Sequence, residues 1–220
     1  MSATPRSPKA QPPKHTTIVF VRHGTTPTTG KILPGRAKGL HLSDQGIAEA
    51  QGAAQRVAAY EKIAAIYASP MERTRETAAP IAKAAGVKVS LERGLLECDF
   101  GEWTGRELKT LYKEPTWGQV QRTPSTFRFP GGESFAEMQA RLSTTVQRIV
   151  AAHPGEVVVC VSHADPIKVV VCDAMGAHLD QFQRFQVSPC SATVISYAAG
   201  GSNVACLNVT GCLPGAKAPA

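Results

Sequence analysis

The feature that most constrains this chain is a repeated alternation of short apolar strand patterns with helical ones. Residues 16–21 are β-branched and apolar and read as a buried strand. After a loop rich in Thr, Gly and Pro, Ser43 can cap a helix running to about Tyr60, with Ile47, Ala50, Ala54 and Val57 at helical spacing. Residues 64–68 read as a second strand, leading through Ser69-Pro70 into a helix that stops near Gly86. Pro70 is expected in the first turn of that helix. A short strand follows at 87–91, then a less regular 99–132 stretch with a short helix at 106–112. Gly131-Gly132 opens a long helix from Glu133 to about His153, with Phe135, Met138, Leu142, Val146 and Ile149 along one face. Residues 156–161 form a strongly apolar strand, followed by a helix at 166–175 and a helical stretch at 178–185. Two strands, 190–197 and 203–209, close the chain. This order predicts an α/β fold: a three-layer α/β/α sandwich with a mainly parallel central sheet and one edge hairpin. With no internal repeat and no second core, 16–213 is expected to be one domain. A disordered basic tail is expected at 1–15 and a flexible, Pro- and Ala-rich tail at 214–220.

Charge narrows the class of partner. Of 220 residues, 24 are Lys or Arg and 17 are Asp or Glu, a formal +7. Arg6, Lys9, Lys14 and Lys217 lie in the two tails, which leaves +3 for 16–213. That excess is too small for a polyanion surface, and no basic helix, zinc finger or aromatic-basic RNA motif accompanies it, so no nucleic-acid partner is expected. No apolar run reaches the ~18–20 residues of a membrane span, so no membrane partner is expected either. The first fifteen residues lack the apolar block of a secretory signal. Cys98, Cys160, Cys172, Cys190, Cys206 and Cys212 show no C-x-x-C pair and no metal-ligand spacing. They read as reduced thiols of a cytoplasmic protein. The partner left by this arithmetic is a small anionic molecule; oligomeric state is not encoded in it.

Ligands of open α/β sheets bind beyond the carboxyl ends of strands. Here those ends carry Arg22-His23-Gly24, Ser69-Pro70 just before Arg73, and Ser162-His163. Two arginines with two histidines suit a phosphoryl group. Guanidinium forks bind phosphate oxygens and stay charged, and a neutral imidazole can attack phosphorus to form a covalent intermediate. Fixed positive groups stabilise the transition state without a metal, so no cofactor is expected. The departing alkoxide needs a proton, and Glu97 is the best-placed carboxyl group. An Arg at a helix start, as at Arg73, opposes the macrodipole unless an anion sits there.

Four blocks, in this order, resemble the histidine phosphatase superfamily, also called phosphoglycerate mutase-like. Arg22-His23-Gly24-Thr25-Thr26 matches its R-H-G-x-T signature. Ser69-Pro70-Met71-Glu72-Arg73-Thr74-Arg75-Glu76-Thr77-Ala78 resembles its S-P-L-x-R block, and Leu96 to Gly105 resembles L-x-E-x-x-F-G-x-W-x-G. Ser162-His163-Ala164 resembles S-H-G. The resemblance spans about 17–208 and implies roles. His23 would be the phosphorylated nucleophile. Arg22, Arg73 and His163 would bind the phosphoryl group. Glu97 would donate the proton and then activate water. Family members need no metal and have a mixed sheet flanked by helices. Thr26, Thr29, Arg36 and Ala164 are expected to touch substrate. Thr29 stands where the family often has Asn, and Ala164 replaces the usual Gly, a change expected to narrow the pocket or to require negative φ.

The expected activity is metal-independent hydrolysis of a small phosphomonoester through a phosphohistidine. The alternatives are a phosphoglycerate mutase-type phosphomutase and a non-catalytic phospho-ligand binder. A mutase needs further basic groups, and the 106–132 stretch holds Arg106, Lys109, Lys113, Arg122 and Arg128. A binder needs the arginines but neither His23 nor Glu97. Taken singly, the same residues have plainer roles: a polar pair at a strand end, solvated charges in a first helical turn, or a Glu97–Arg93 ion pair.

Overall fold

The computed structural model describes residues 15–216. The remainder of the two expected tails, 1–14 and 217–220, lies outside the described residues. A six-stranded sheet forms the centre, ordered β3-β2-β4-β1-β5-β6. Its strands are β1 (Thr16–Arg22), β2 (Ala65–Ala68), β3 (Val89–Leu91), β4 (Val157–Ser162), β5 (Ala192–Ala198) and β6 (Gly201–Val209). β1, β4, β2 and β3 run parallel, β5 is antiparallel to β1, and β6 closes the hairpin.

Strand alternation sorts the core into two layers. Ile18 and Phe20 of β1 and Val158 and Cys160 of β4 face α5 (Phe135–Ala152) and α6 (Ala164–Met175). Val19, Val21, Val159 and Val161 face α1 (Asp44–Ala58) and α2 (Glu72–Ala85). The strands are apolar on both faces because helices cover both. Two short helices, α3 (Leu108–Leu111) and α4 (Trp117–Arg122), pack beside the α5–α6 layer; α4 carries too little apolar periodicity to have been expected.

Several local expectations are corrected. Ile47 is 49% exposed, because the buried stripe of α1 is Gly46, Ala50, Ala53, Ala54 and Val57, one step around the helix. Gly46 lies so close to the loop after β1 that a Cβ there would stand 2.0 Å from the Thr25 carbonyl oxygen. Pro70 precedes the N-cap Met71 of α2 and ends the strand connection rather than opening the helix. α6 begins at Ala164, not Pro166, with His163 at its N-cap. α5 begins at Phe135 with a Ser134–Glu137 capping box, which leaves Glu133 outside the helix. The start of the second expected tail is held, since Tyr60 Oη donates to the Pro214 carbonyl at 2.7 Å and Leu213 is buried. The six cysteines, by contrast, are free thiols as expected.

Candidate active site

Register builds the centre of the site. Arg22 of β1 lies opposite Ser162 of β4 in a parallel pair, so His23 and His163 each follow by one residue on adjacent strands. The His23 N–H still donates to the Ser162 carbonyl at 2.9 Å, and Ser69 N–H donates to Val161 at 2.9 Å, extending the sheet past all three strand ends. The two imidazoles meet edge to face with centroids 5.3 Å apart. Helix α2 is tied to the same loop: Gly24 N–H donates to Thr77 Oγ1, and Thr77 Oγ1 donates to the Arg73 carbonyl.

Hydrogen-bond partners assign the tautomers. His23 Nδ1 lies 2.8 Å from the Gly24 carbonyl oxygen, which can only accept. Nδ1 therefore carries the hydrogen, and Nε2 keeps its lone pair. Burial, then the charges of Arg73 and Arg22, hold the His23 pKa well below the usual histidine value, so the ring is neutral. His163 is the reverse. Arg73 Nη2, a donor, lies 3.1 Å from Nδ1, so Nδ1 accepts and Nε2–H donates to Ser69 Oγ at 2.9 Å. Burial and the same arginines keep His163 neutral as well. The positive charge of this centre thus resides on the guanidinium groups, and both ring nitrogens of His163 are engaged by protein.

Arg73 is fully buried, whereas Arg75, two residues along α2, points outward and is exposed. Arg73 Nη2 also donates to the Gly35 carbonyl at 2.8 Å. Its Nε and Nη1, and the Nε of Arg22, are buried with no hydrogen-bond partner among the described residues. Arg22 Nη1 donates to the Val187 carbonyl at 2.6 Å. Buried guanidinium donors without acceptors are costly unless an anion supplies them. Three such donors beside two histidines form an arrangement that a phosphoryl group can complete.

Glu97 is 7% exposed and accepts from its neighbour's N–H, Cys98, at 3.0 Å. Burial and the nearby Asp165 carboxylate push its pKa up to about 7, against the opposing pull of Arg73 and Arg22. It forms no ion pair with Arg93 among the described residues. A carboxyl group of this kind holds its proton at near-neutral pH and can give it up.

The expected substrate contacts fare differently. Thr26 is buried, and its N–H donates to Thr29 Oγ1 at 2.9 Å, so the Thr29 hydroxyl closes a local turn. Arg36 was expected on the substrate, yet all three of its nitrogens face protein acceptors: Glu97 O, Asp99 and Glu133. Ala164 is the first residue of α6 and has no positive φ, so the family's Gly is not required at this position. Two site residues are given no role by the motifs: Ser69, which partners His163, and Asp165, the charge beside Glu97. Asp165 sits two residues after His163 in the first turn of α6, and that spacing was the available signal. His41, His153 and His178 lie elsewhere: His153 and His178 cap helical segments, and His41 pairs with Glu76 at the surface.

A family model described as histidine phosphatase superfamily (branch 1) matches residues 18–210. Phosphoserine phosphatase 1 of Hydrogenobacter thermophilus is 31% identical over 199 residues, covering 88% of this chain and 92% of that protein. A bifunctional protein of Mycobacterium tuberculosis is 30% identical over 200 residues and 90% of this chain, but the chain spans only 55% of its length. Among solved structures, a phosphoserine phosphatase mutant of Entamoeba histolytica in complex with phosphoserine is similar with a TM-score of 0.79 at 25% identity, covering 89% of this chain and 98% of that one.

Proposed function

The chain belongs to the histidine phosphatase superfamily, and on that premise we propose that it hydrolyses a small phosphomonoester through a phosphohistidine at His23, without a metal. The observation that carries this reading is the His23 tautomer: Nδ1–H is bound to the Gly24 carbonyl, so the lone pair lies on Nε2 beside buried, unpartnered guanidinium donors. In the first step His23 Nε2 forms a bond to phosphorus and the ester P–O bond breaks. The oxygen leaves with the bonding pair and takes the Glu97 proton. Arg22 and Arg73 stabilise the charge on the transferring group, with His163 held against Arg73. In the second step water attacks phosphorus, its proton passes to the Glu97 carboxylate, and the P–N pair returns to Nε2.

Hydrolysis is favoured over the mutase alternative by how the 106–132 stretch uses its basic residues. Arg106 pairs with Glu114, Arg128 with Glu137 and Lys109 with Glu107, which ties up three of the five candidates for a second anion site. The raised proton affinity of Glu97 supports a catalyst over a passive binder. The names of the relatives make phosphoserine a first substrate to test, within a panel of sugar, glycerate and nucleotide monophosphates.

The test is phosphate release from that panel in the presence of a chelator, with 3-phosphoglycerate isomerisation assayed alongside. Release unaffected by chelator, with no isomerisation, is the expected result. Isomerisation dependent on a bisphosphate would select the mutase, and binding without turnover would select the binder.

A further inference from the structure

The acid-bearing segment has no regular secondary structure to hold it. After the short turn Arg93–Leu95 it runs irregularly to Gly101, and its carbonyl groups need donors from elsewhere. Ser162 Oγ donates to the Leu95 carbonyl and the Glu133 N–H to the Asp99 carbonyl, both at 2.8 Å, and two arginines serve the carbonyls nearest the acid. Arg141, on α5, donates from Nη1 to the Gly94 and Leu96 carbonyls at 2.7 and 3.1 Å. Arg36 donates from Nε to the carbonyl of Glu97 itself at 2.8 Å. Both meet at one carboxylate. Glu133 Oε1 accepts from Arg141 Nε at 2.9 Å, and Glu133 Oε2 accepts from Arg141 Nη2 at 3.0 Å, Arg36 Nη2 at 2.9 Å and the Asp99 N–H at 3.3 Å. The Glu133 side chain is 13% exposed, so these contacts are sheltered from water.

We infer that Glu133 is a positioning residue for the proton donor: it fixes the forks of Arg36 and Arg141, which in turn fix the backbone on both sides of Glu97. This rests on the reading of Glu97 as the acid. Planar guanidinium forks transmit orientation well, because bidentate bonding to one carboxylate leaves the plane little freedom. The carbonyl bonded by Arg73 belongs to Gly35, adjacent to Arg36. The Gly35-Arg36 dipeptide therefore links the phosphoryl-binding guanidinium to the acid's main chain and sets the distance between them. Misplacing a reacting group by about an ångström can cost ~10²-fold in rate.

The experiment compares wild type, Glu97→Gln and Glu133→Gln on aryl and alkyl phosphates of increasing leaving-group pKa, reading kcat and KM separately. Glu133→Gln is expected to lower kcat about 10- to 100-fold for alkyl phosphates, with KM little changed. The loss should shrink towards nitrophenyl phosphate, in parallel with Glu97→Gln. A loss equal for all leaving groups, or one confined to KM, would overturn the inference. If Glu97→Gln itself shows no leaving-group dependence, the acid assignment fails, and the positioning role falls with it for that separate reason. Should Glu133→Gln not fold, Arg141→Lys keeps the charge but loses the fork, and the same leaving-group dependence is required of it.

Discussion

Arg73 Nη2 donates to His163 Nδ1 at 3.1 Å, and both side chains are fully buried. The bond makes His163 an acceptor towards the arginine, and among the described residues no carboxylate forms an ion pair with that guanidinium. A buried cation held in this way favours any anion that reaches it.

Inorganic phosphate or vanadate should therefore stabilise the protein, by ~2.7 kcal/mol at one hundred times its Kd. Arg73→Met should weaken that binding about 10- to 100-fold, the worth of charge-assisted hydrogen bonds. Thermal unfolding at increasing anion concentration measures both, and a Tm shift unchanged in the variant would remove Arg73 from the phosphoryl site.

His23→Ala should abolish turnover and the acid-labile phosphoenzyme while leaving the anion-induced Tm shift largely in place, because the guanidinium donors remain. Rapid quench with labelled substrate detects the intermediate. Persisting phosphoprotein in the variant would reject the nucleophile.

The pH profile follows from two shifted groups. Glu97 must be protonated to donate, so kcat/KM should fall as pH rises through about 7. His23 must be neutral to attack, and its lowered pKa puts the acid limb well below the usual histidine range. In Glu97→Gln the basic limb should vanish from the residual activity. A limb that survives at the same pH would assign it to another group.

The same carboxyl group costs stability when ionised. Its proton affinity is raised in the folded protein, so the native state holds a proton that the unfolded chain releases above about 4.5. Stability from this group is therefore complete at acid pH and declines as pH rises towards 7. Glu97→Gln removes the decline and should gain stability on wild type by on the order of 2–3 kcal/mol between pH 5 and 8. Denaturant midpoints at the two pH values test the sign.

Gly46→Ala would ordinarily strengthen a helix by about 0.5–1 kcal/mol. Here the added Cβ would meet the Thr25 carbonyl oxygen at 2.0 Å, and backbone cannot give way cheaply. The variant should be destabilised by ~1–3 kcal/mol or more and should lose activity through displacement of the 22–25 loop. Chemical denaturation and a phosphatase assay check the two effects together.

Much of this was legible along the chain. The alternation of apolar strands with amphipathic helices dictated the three-layer fold, because those patterns can be buried only against each other. Strand ends singled out Arg22, His23, Arg73 and His163 as chemical groups, and Gly86, now the left-handed C-cap of α2, marked its helix end through local backbone preference alone. Pairing across 140 residues was not legible. That β1 lies beside β4, and so His23 beside His163, is a matter of strand order, which local sequence does not encode. Nor could a linear pattern assign the tautomers or raise the proton affinity of Glu97, since those depend on burial and on charges from distant segments. Arg36 shows the limit most clearly. A loop arginine near a phosphate motif reads as a substrate ligand, yet the folded chain surrounds it with Glu97 O, Asp99 and Glu133. Residue type determined what chemistry was available; three-dimensional packing decided which groups face the reaction and which hold them in place.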